Sequence, residues 1–200
     1  MTDKANYAAR ALKCGGVALV ATDTVYGLAA LPTSEAAVAK IYALKARPRD
    51  MFLPVMAAGV DDLEALGLDI NANARKLFDS HLVPGALTFV LGFMDGAAKP
   101  YWTKTREEIA VRIPDHALLL SILKETGPLL VTSANRHGRP DTPARVKDIL
   151  KELHGTPDLT VEDGEGREAP STIVNCRSNP PVIERHGVIP PEIIYHILAQ

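Results

Sequence analysis

Thr22-Asp23-Thr24-Val25-Tyr26-Gly27-Leu28 sets three consecutive polar side chains, an aromatic hydroxyl and a glycine directly after the apolar run Val17-Ala18-Leu19-Val20-Ala21. The apolar run predicts a buried strand, bounded upstream by Gly15-Gly16. Clustered hydroxyls at a strand end suit the binding crevice of an α/β protein, where ligands lie against such ends. The plainer alternative is a polar turn leading into a helix. Thr132-Ser133-Ala134-Asn135 repeats the pattern after the apolar Leu129-Leu130-Val131. The small Ala134 would let a ligand approach the backbone, or Ser133 and Asn135 serve only a turn, which such residues favour.

Fixed cations come with these hydroxyls. Lys45-Ala46-Arg47-Pro48 ends a helical pattern, so Lys45 and Arg47 should project from its exit. They either complement the helix dipole or clamp a triphosphate, the arginine as a planar fork and the lysine as a point charge. Arg112 interrupts the apolar strand Ile109-Ala110-Val111-Arg112-Ile113. A buried guanidinium needs a partner, either an internal carboxylate or the carboxylate of a small ligand. Ser171-Thr172 opens another strand, and Arg185, two residues before Gly187, is a second phosphate clamp or a surface charge.

Other chemistries fit poorly. Ser133 lacks the G-x-S-x-G elbow of a hydrolase nucleophile. The six histidines (His81, His116, His137, His154, His186 and His196) are scattered without metal spacing, so no protein-bound metal is expected. Cys14 and Cys176 form no C-x-x-C pair.

The elements that position these residues alternate between helix and strand. Tyr7, Ala8, Ala11 and Leu12 have helical spacing, as do Ala37, Val38, Ile41 and Leu44, with Ser34 as N-cap and Glu35 in the first turn. Leu53-Pro54-Val55-Met56 reads as a strand that Pro54 demotes to an edge or irregular one. Asp61 with Glu64 resembles a capping box. Asn71 caps a run with Ala74, Leu77, Phe78 and Leu82 on one face. Ala86 to Leu91 and Ile109 to Ile113 are expected strands, and Asp115 caps a helix carrying Leu118, Leu119, Ile122 and Leu123 up to Gly127-Pro128. Thr142-Pro143 opens a helix with Val146, Ile149, Leu150 and Leu153 inward. Short strands at Ser171 to Val174 and Val182 to Glu184 precede a helix opened by Pro190-Pro191. The Gly- and acid-rich segment from Glu162 to Glu168 is the expected mobile loop.

Two hundred residues with 46% hydrophobic and 23% charged side chains suit one globular α/β domain over 1–200 with a mixed sheet. No G-x-G-x-x-G follows a strand, which disfavours a doubly wound dinucleotide fold. A net charge of -2 supplies no global basic field for nucleic acid, although a local basic groove is compatible with it. Neither a secretory signal nor a membrane-length apolar run is present, so a cytoplasmic protein without a membrane partner is expected.

In order and spacing, seven segments resemble the threonylcarbamoyl-AMP synthase family, whose catalytic unit is the YrdC-like domain. They are residues 22–28, Lys45-x-Arg47-Pro48, Pro84-Gly85-Ala86-Leu87-Thr88, Val111-Arg112-Ile113-Pro114, Thr132-Ser133-Ala134-Asn135, Ser171-Thr172 and Arg185-x-Gly187. The resemblance implies a twisted, largely parallel sheet flanked by helices, with a deep concave face. It implies the joining of L-threonine, bicarbonate or CO2, and ATP to give threonylcarbamoyl-adenylate and pyrophosphate, with Mg²⁺ carried by ATP and no organic cofactor. A partner complex would then transfer the threonylcarbamoyl group to tRNA. By the same resemblance Thr24, Arg112, Thr132 and Ser171 hold threonine. Lys45, Arg47, Ser133, Ala134, Asn135, Thr142 and Arg185 hold the nucleotide and carbamate, with Lys45, Arg47, Ser133 and Asn135 closest to the chemistry.

The chain departs from the family pattern in placing Phe52 before Leu53 where proline is usual, and His137-Gly138 where Ser-Gly often follows Ser-Ala-Asn. Met51 and Met56 occupy stretches where some relatives have polar contacts. Lacking a second C-terminal domain, the chain resembles the short, single-domain form. Two other readings compete: a non-catalytic module binding double-stranded RNA through the concave face, and the carbamoyl-adenylate step of hydrogenase maturation factors. The latter embed a similar domain in much longer, cysteine-rich chains.

Overall fold

The computed structural model of the chain describes residues 3–103, 106–139, 141–166 and 169–200. Its strands are β1 (Ala18–Val20), β2 (Gly27–Ala30), β3 (Val55–Met56), β4 (Leu87–Gly92), β5 (Glu108–Arg112), β6 (Leu129–Ser133), β7 (Leu159–Val161), β8 (Thr172–Asn175) and β9 (Val182–Arg185). They form one sheet in the order β7-β1-β2-β6-β3-β5-β4-β8-β9. The helices are α1 (Asp3–Lys13), α2 (Glu35–Lys45), α3 (Val60–Ala65), α4 (Ala72–Phe78), α5 (Ala117–Thr126), α6 (Val146–Glu152) and α7 (Pro191–Leu198). The sheet is mixed, as expected, but not largely parallel. Among the described residues β1–β7, β3–β5 and β4–β8 are parallel, and the other five pairings are antiparallel. The cause is the hairpin β1–β2 and the direct returns β4–β5 and β8–β9, which need no helical crossover.

Strand alternation divides the core. Leu19, Leu28, Val55, Phe89, Val111, Leu130 and Val174 face the larger cluster, where Ile41 of α2, Leu77 of α4, Ile149 of α6 and Ile194 of α7 pack. The opposite face is covered by Ala5, Ala8 and Leu12 of α1 and Leu119, Ile122 and Leu123 of α5, but only over β7, β1, β2, β6 and the adjoining end of β3. Farther across, the same face presents Thr88, Ala110, Arg112 and Ile173, and these line an open cavity. Small and polar side chains give a helix little to bury there. That uncovered half of the sheet is the concave face.

Local chemistry explains the helix ends. Ser34 and Asn71 cap α2 and α4 as expected, accepting from the backbone N–H of Ala37 and Ala74. Four expectations change. Asp61 caps nothing: α3 starts after Gly59, and the Asp62 carboxylate accepts from Ala58 N–H at 2.9 Å. His116, not Asp115, caps α5. Helix α6 begins after Arg145, well beyond Thr142-Pro143. Tyr7 is exposed, because Ala5, Ala8, Ala9 and Leu12 form the inward face of α1.

Candidate active site

The opening motif is a hairpin turn. β1 and β2 pair with Val20 opposite Gly27, so residues 21–26 form the connecting loop, not the lead into a helix. The Thr22 hydroxyl accepts from Thr24 N–H at 3.0 Å and donates to the Val25 carbonyl at 2.8 Å, closing the loop on itself. Gly27 is required because a Cβ would stand 2.7 Å from Val131 Cγ1 on β6. Tyr26 is fully buried. Its hydroxyl donates to the Gly164 carbonyl at 2.6 Å and accepts from Asp163 N–H at 3.2 Å. The described part of the expected mobile loop, 162–166, is thus tied to the motif, and Gly166 N–H also bonds the Ala144 carbonyl. Residues 167 and 168 lie outside the described residues.

Arg112 ends β5 on the open face. Its Nε donates to the Gly85 carbonyl at 2.9 Å and its NH1 to the Thr24 hydroxyl at 2.8 Å. Its NH2 lies 2.6 Å from Asp23 Oδ1, with the two side chains 5% and 10% exposed. The charges therefore compensate, yet neither atom has an aligned hydrogen-bond partner among the described residues. Burial pulls the Arg112 pKa down and Asp23 opposes the shift. Of the two alternatives from sequence, the structure shows the internal carboxylate, and Arg112 also lines the cavity.

Across the cavity the Ser171 hydroxyl lies 2.7 Å from that of Thr88 and accepts from Arg185 NH2 at 3.1 Å. Arg185 also binds the Ser171 carbonyl through Nε and NH2. Burial, then the nearby Arg112 charge, pulls its pKa down. Gly187 explains the Arg-x-Gly pattern. Its N–H bonds the Thr172 hydroxyl, and a Cβ would overlap the Pro170 carbonyl oxygen and the Ser171 backbone. Gly187→Ala must therefore move the start of β8. The expected result is a stability loss of about 2 kcal/mol or more, in the range of strained or overpacked sites, with weaker ligand binding in the cavity. Denaturant melts and ligand titration check both.

The cavity, about 430 Å³, brings together Thr24, Arg47, Arg112, Thr132, Ser133, Asn135, Thr142, Ser171 and Arg185, a size suited to a small-molecule ligand. Two of the expected site residues are not among its lining. Lys45 is 1% exposed instead of projecting from the helix end. Its ammonium binds the Ser133 carbonyl, the Asn135 carbonyl at 2.7 Å and Asn135 Oδ1 at 3.1 Å, from behind the turn. Ala134 is wholly buried in the core, and its N–H pairs with the Tyr26 carbonyl at 2.7 Å. Burial, then Arg47, lowers the Lys45 pKa to about 7.

Asn135 is a hub of the turn: Oδ1 accepts from the Ser133 hydroxyl, and Nδ2 donates to the Arg139 and Asp141 carbonyls. Arg47 lines the cavity while bonding the Met51 and Phe52 carbonyls of its own loop. Sequence reasoning missed the parts played by Asp23 and Thr88. Thr88 could have been found, being a lone hydroxyl inside an apolar strand. Among the described residues no group of three His, Cys, Asp or Glu side chains could hold a metal ion.

A concave, half-covered sheet whose open face carries hydroxyls and buried arginines defines an α/β protein with a polar, cationic cavity. A family model described as telomere recombination, covering Sua5, YciO and YrdC proteins, matches residues 10–187. The chain belongs to this Sua5/YciO/YrdC family. It is 36% identical over 194 residues to the threonylcarbamoyl-AMP synthase of Bacillus subtilis, covering 96% of this chain and 56% of that one. A threonylcarbamoyl-AMP synthase of Pseudomonas aeruginosa is 35% identical, with 85% and 91% covered. The crystal structure of Pyrococcus abyssi Sua5 complexed with L-threonine superposes with a TM-score of 0.87 at 30% identity, over 98% of this chain and 58% of that one. Escherichia coli YciO shares the fold, with a TM-score of 0.80 at 24% identity over 92% and 89%. The chain thus spans little more than half of the Bacillus and Pyrococcus proteins.

Proposed function

We propose that the chain forms threonylcarbamoyl-adenylate and pyrophosphate from L-threonine, bicarbonate or CO2, and ATP, for transfer to tRNA by a partner complex. The observation that carries this reading is Arg112. It is a buried guanidinium fixed by Asp23, Thr24 and Gly85 at the wall of a cavity rich in hydroxyls. Such a group suits the carboxylate of an amino acid. Thr24, Thr132 and Ser171 supply the neighbouring hydroxyls. The names of the relatives and the threonine complex of Pyrococcus abyssi Sua5 support the assignment.

Threonine's amine takes up CO2 to give a carbamate, whose oxygen attacks the α-phosphorus of ATP as pyrophosphate leaves. In this reading Arg47 and Arg185 hold the phosphates, Ser133, Asn135 and Thr142 shape the turn against them, and Lys45 sets that turn from behind. Mg²⁺ would arrive with ATP, held by phosphate and water. Catalysis rests on positioning and charge stabilisation, and no enzyme nucleophile is needed. An RNA-binding module fits less well, since Lys45 is buried and unavailable to a phosphate backbone. The expected result is pyrophosphate release only when ATP, threonine and bicarbonate are all supplied. Release that persists without threonine would exclude the assignment.

A further inference from the structure

A second cavity, of about 390 Å³, opens on the other side of the 47–53 loop between α2 and the 3-10 turn at Tyr101–Thr103. Tyr42, Phe52, Tyr101 and Trp102 supply aromatic walls, Arg49 and Arg106 supply cations, and Glu35 sits at the rim. Arg106 is only 8% exposed, and its guanidinium stacks on the Phe52 ring at 4.1 Å. Among the described residues its Nε has no hydrogen-bond partner, and its contact with the Leu53 carbonyl is long, at 3.4 Å. Among the described residues it forms no ion pair.

A buried guanidinium without a carboxylate is costly unless a ligand supplies the anion. The Tyr42 phenol lies in the field of Arg106, Arg47 and Arg49, with Asp50 as the opposing charge. The pocket is therefore cationic as well as aromatic. Aromatic rings and guanidinium planes stack on nucleobases, and arginine forks bind phosphate. Glu35 could accept from a ribose hydroxyl or an exocyclic amine.

We infer that this second cavity binds a nucleotide unit, its base stacked among Phe52, Tyr101 and Trp102 and its phosphate paired with Arg49 and Arg106. The inference does not rest on the synthase reading. Phe52 lines both cavities, and Arg47 on the catalytic side bonds the Met51 and Phe52 carbonyls. An occupant would thus press on the loop that places Arg47. The nucleotide can be free or an unstacked nucleotide of an RNA strand; the chemistry is shared.

Trp102 is the chain's single tryptophan, so its fluorescence reports this cavity. The full chain would be titrated with AMP, adenosine, inorganic phosphate and a short single-stranded oligoribonucleotide. AMP or the oligonucleotide should quench Trp102 saturably, and adenosine should bind at least tenfold more weakly than AMP. AMP acting alone identifies a free nucleotide as ligand; quenching only by the oligonucleotide identifies RNA. Arg106→Gln, and independently the exposed Arg49→Glu, should weaken the quenching ligand at least tenfold, while Arg185→Gln in the first cavity should leave its quenching constant unchanged. The Arg49 variant keeps the test decisive if the Arg106 variant does not fold. The inference fails if no ligand quenches, if quenching survives both loop-side variants, or if it is lost only in Arg185→Gln.

Discussion

Arg112→Ala is expected to abolish threonine binding and to lower the melting temperature by roughly 10 °C. The stability loss comes from Asp23, whose carboxylate is 10% exposed and faces the Arg112 NH2 at 2.6 Å. Removing the guanidinium leaves that charge uncompensated, and breaking a buried pair in this way costs about 3–5 kcal/mol. At about 2–4 °C per kcal/mol for a chain of this size, the shift follows. The Thr24 hydroxyl and Gly85 carbonyl lose their donor as well. Folding and binding separate in a second variant. Adding Asp23→Asn removes the orphaned charge, so the double variant should recover most of the lost stability. It should not recover threonine, because the cation is still missing. Calorimetric titration of threonine and of ATP, with thermal melts, reads both effects. Equal losses of threonine and ATP affinity in the double variant would overturn the role assigned to Arg112.

The same residue shows what the sequence makes legible. A charge inside an apolar strand is conspicuous at any position, and so Arg112 is found without a structure. Its partner is not. Asp23 reads as a turn or cap residue, and only the pairing of β3 with β5 and β6, and of β6 with β2, brings the 21–26 loop over the end of β5. Long strands with sustained apolar runs, β4, β5 and β6, were predicted nearly to the residue. Gly27-Leu28-Ala29-Ala30 was not, because glycine and alanine carry little strand propensity and the pairing comes from its neighbours on both sides. β7, of three residues, is too short for a period to appear.

Pro54 points to an edge or irregular strand, and the second alternative holds: β3 lies at the centre of the sheet but has only two residues. The strand begins just after Pro54, whose carbonyl still accepts from Val131 N–H, so the missing proline donor breaks no pairing along these two residues. The second cavity was illegible for a different reason. Phe52 was visible as a departure from the family pattern, but Arg106, Tyr42 and Trp102 are separated in sequence, and only folding stacks Arg106 on Phe52. Lys45, by contrast, was within reach. It lies one turn beyond Ile41 and next to Leu44, so helical periodicity alone puts it on the buried face of α2.

That burial makes Lys45 the site of the second large effect. Lys45→Met should leave the carbonyls of Ser133 and Asn135 without the lysine donor, while the Asn135 side-chain oxygen keeps only its bond from the Ser133 hydroxyl. Each unsatisfied buried acceptor costs about 1–3 kcal/mol, offset in part by removing a desolvated charge, for a net loss of about 2–4 kcal/mol. Asn135 also holds the Arg139 and Asp141 carbonyls, so the whole turn facing the cavity should loosen and nucleotide affinity should fall by at least a hundredfold. The pH dependence gives a sharper test. Burial and Arg47 bring Lys45 to about 7 in the folded chain, from 10.5. Between those values the unfolded chain holds the proton and the folded one releases it, so wild-type stability relative to Lys45→Met should rise as pH increases from about 7 to 10. Below 7 both states are protonated and the difference should be flat. Nucleotide affinity should move the other way, falling above pH 7 as the ammonium and its third N–H are lost. Melts and titrations at pH 6, 7.5 and 9 measure the two trends. Parallel trends, or a stability difference that falls across this window, would show that Lys45 does not titrate within the turn.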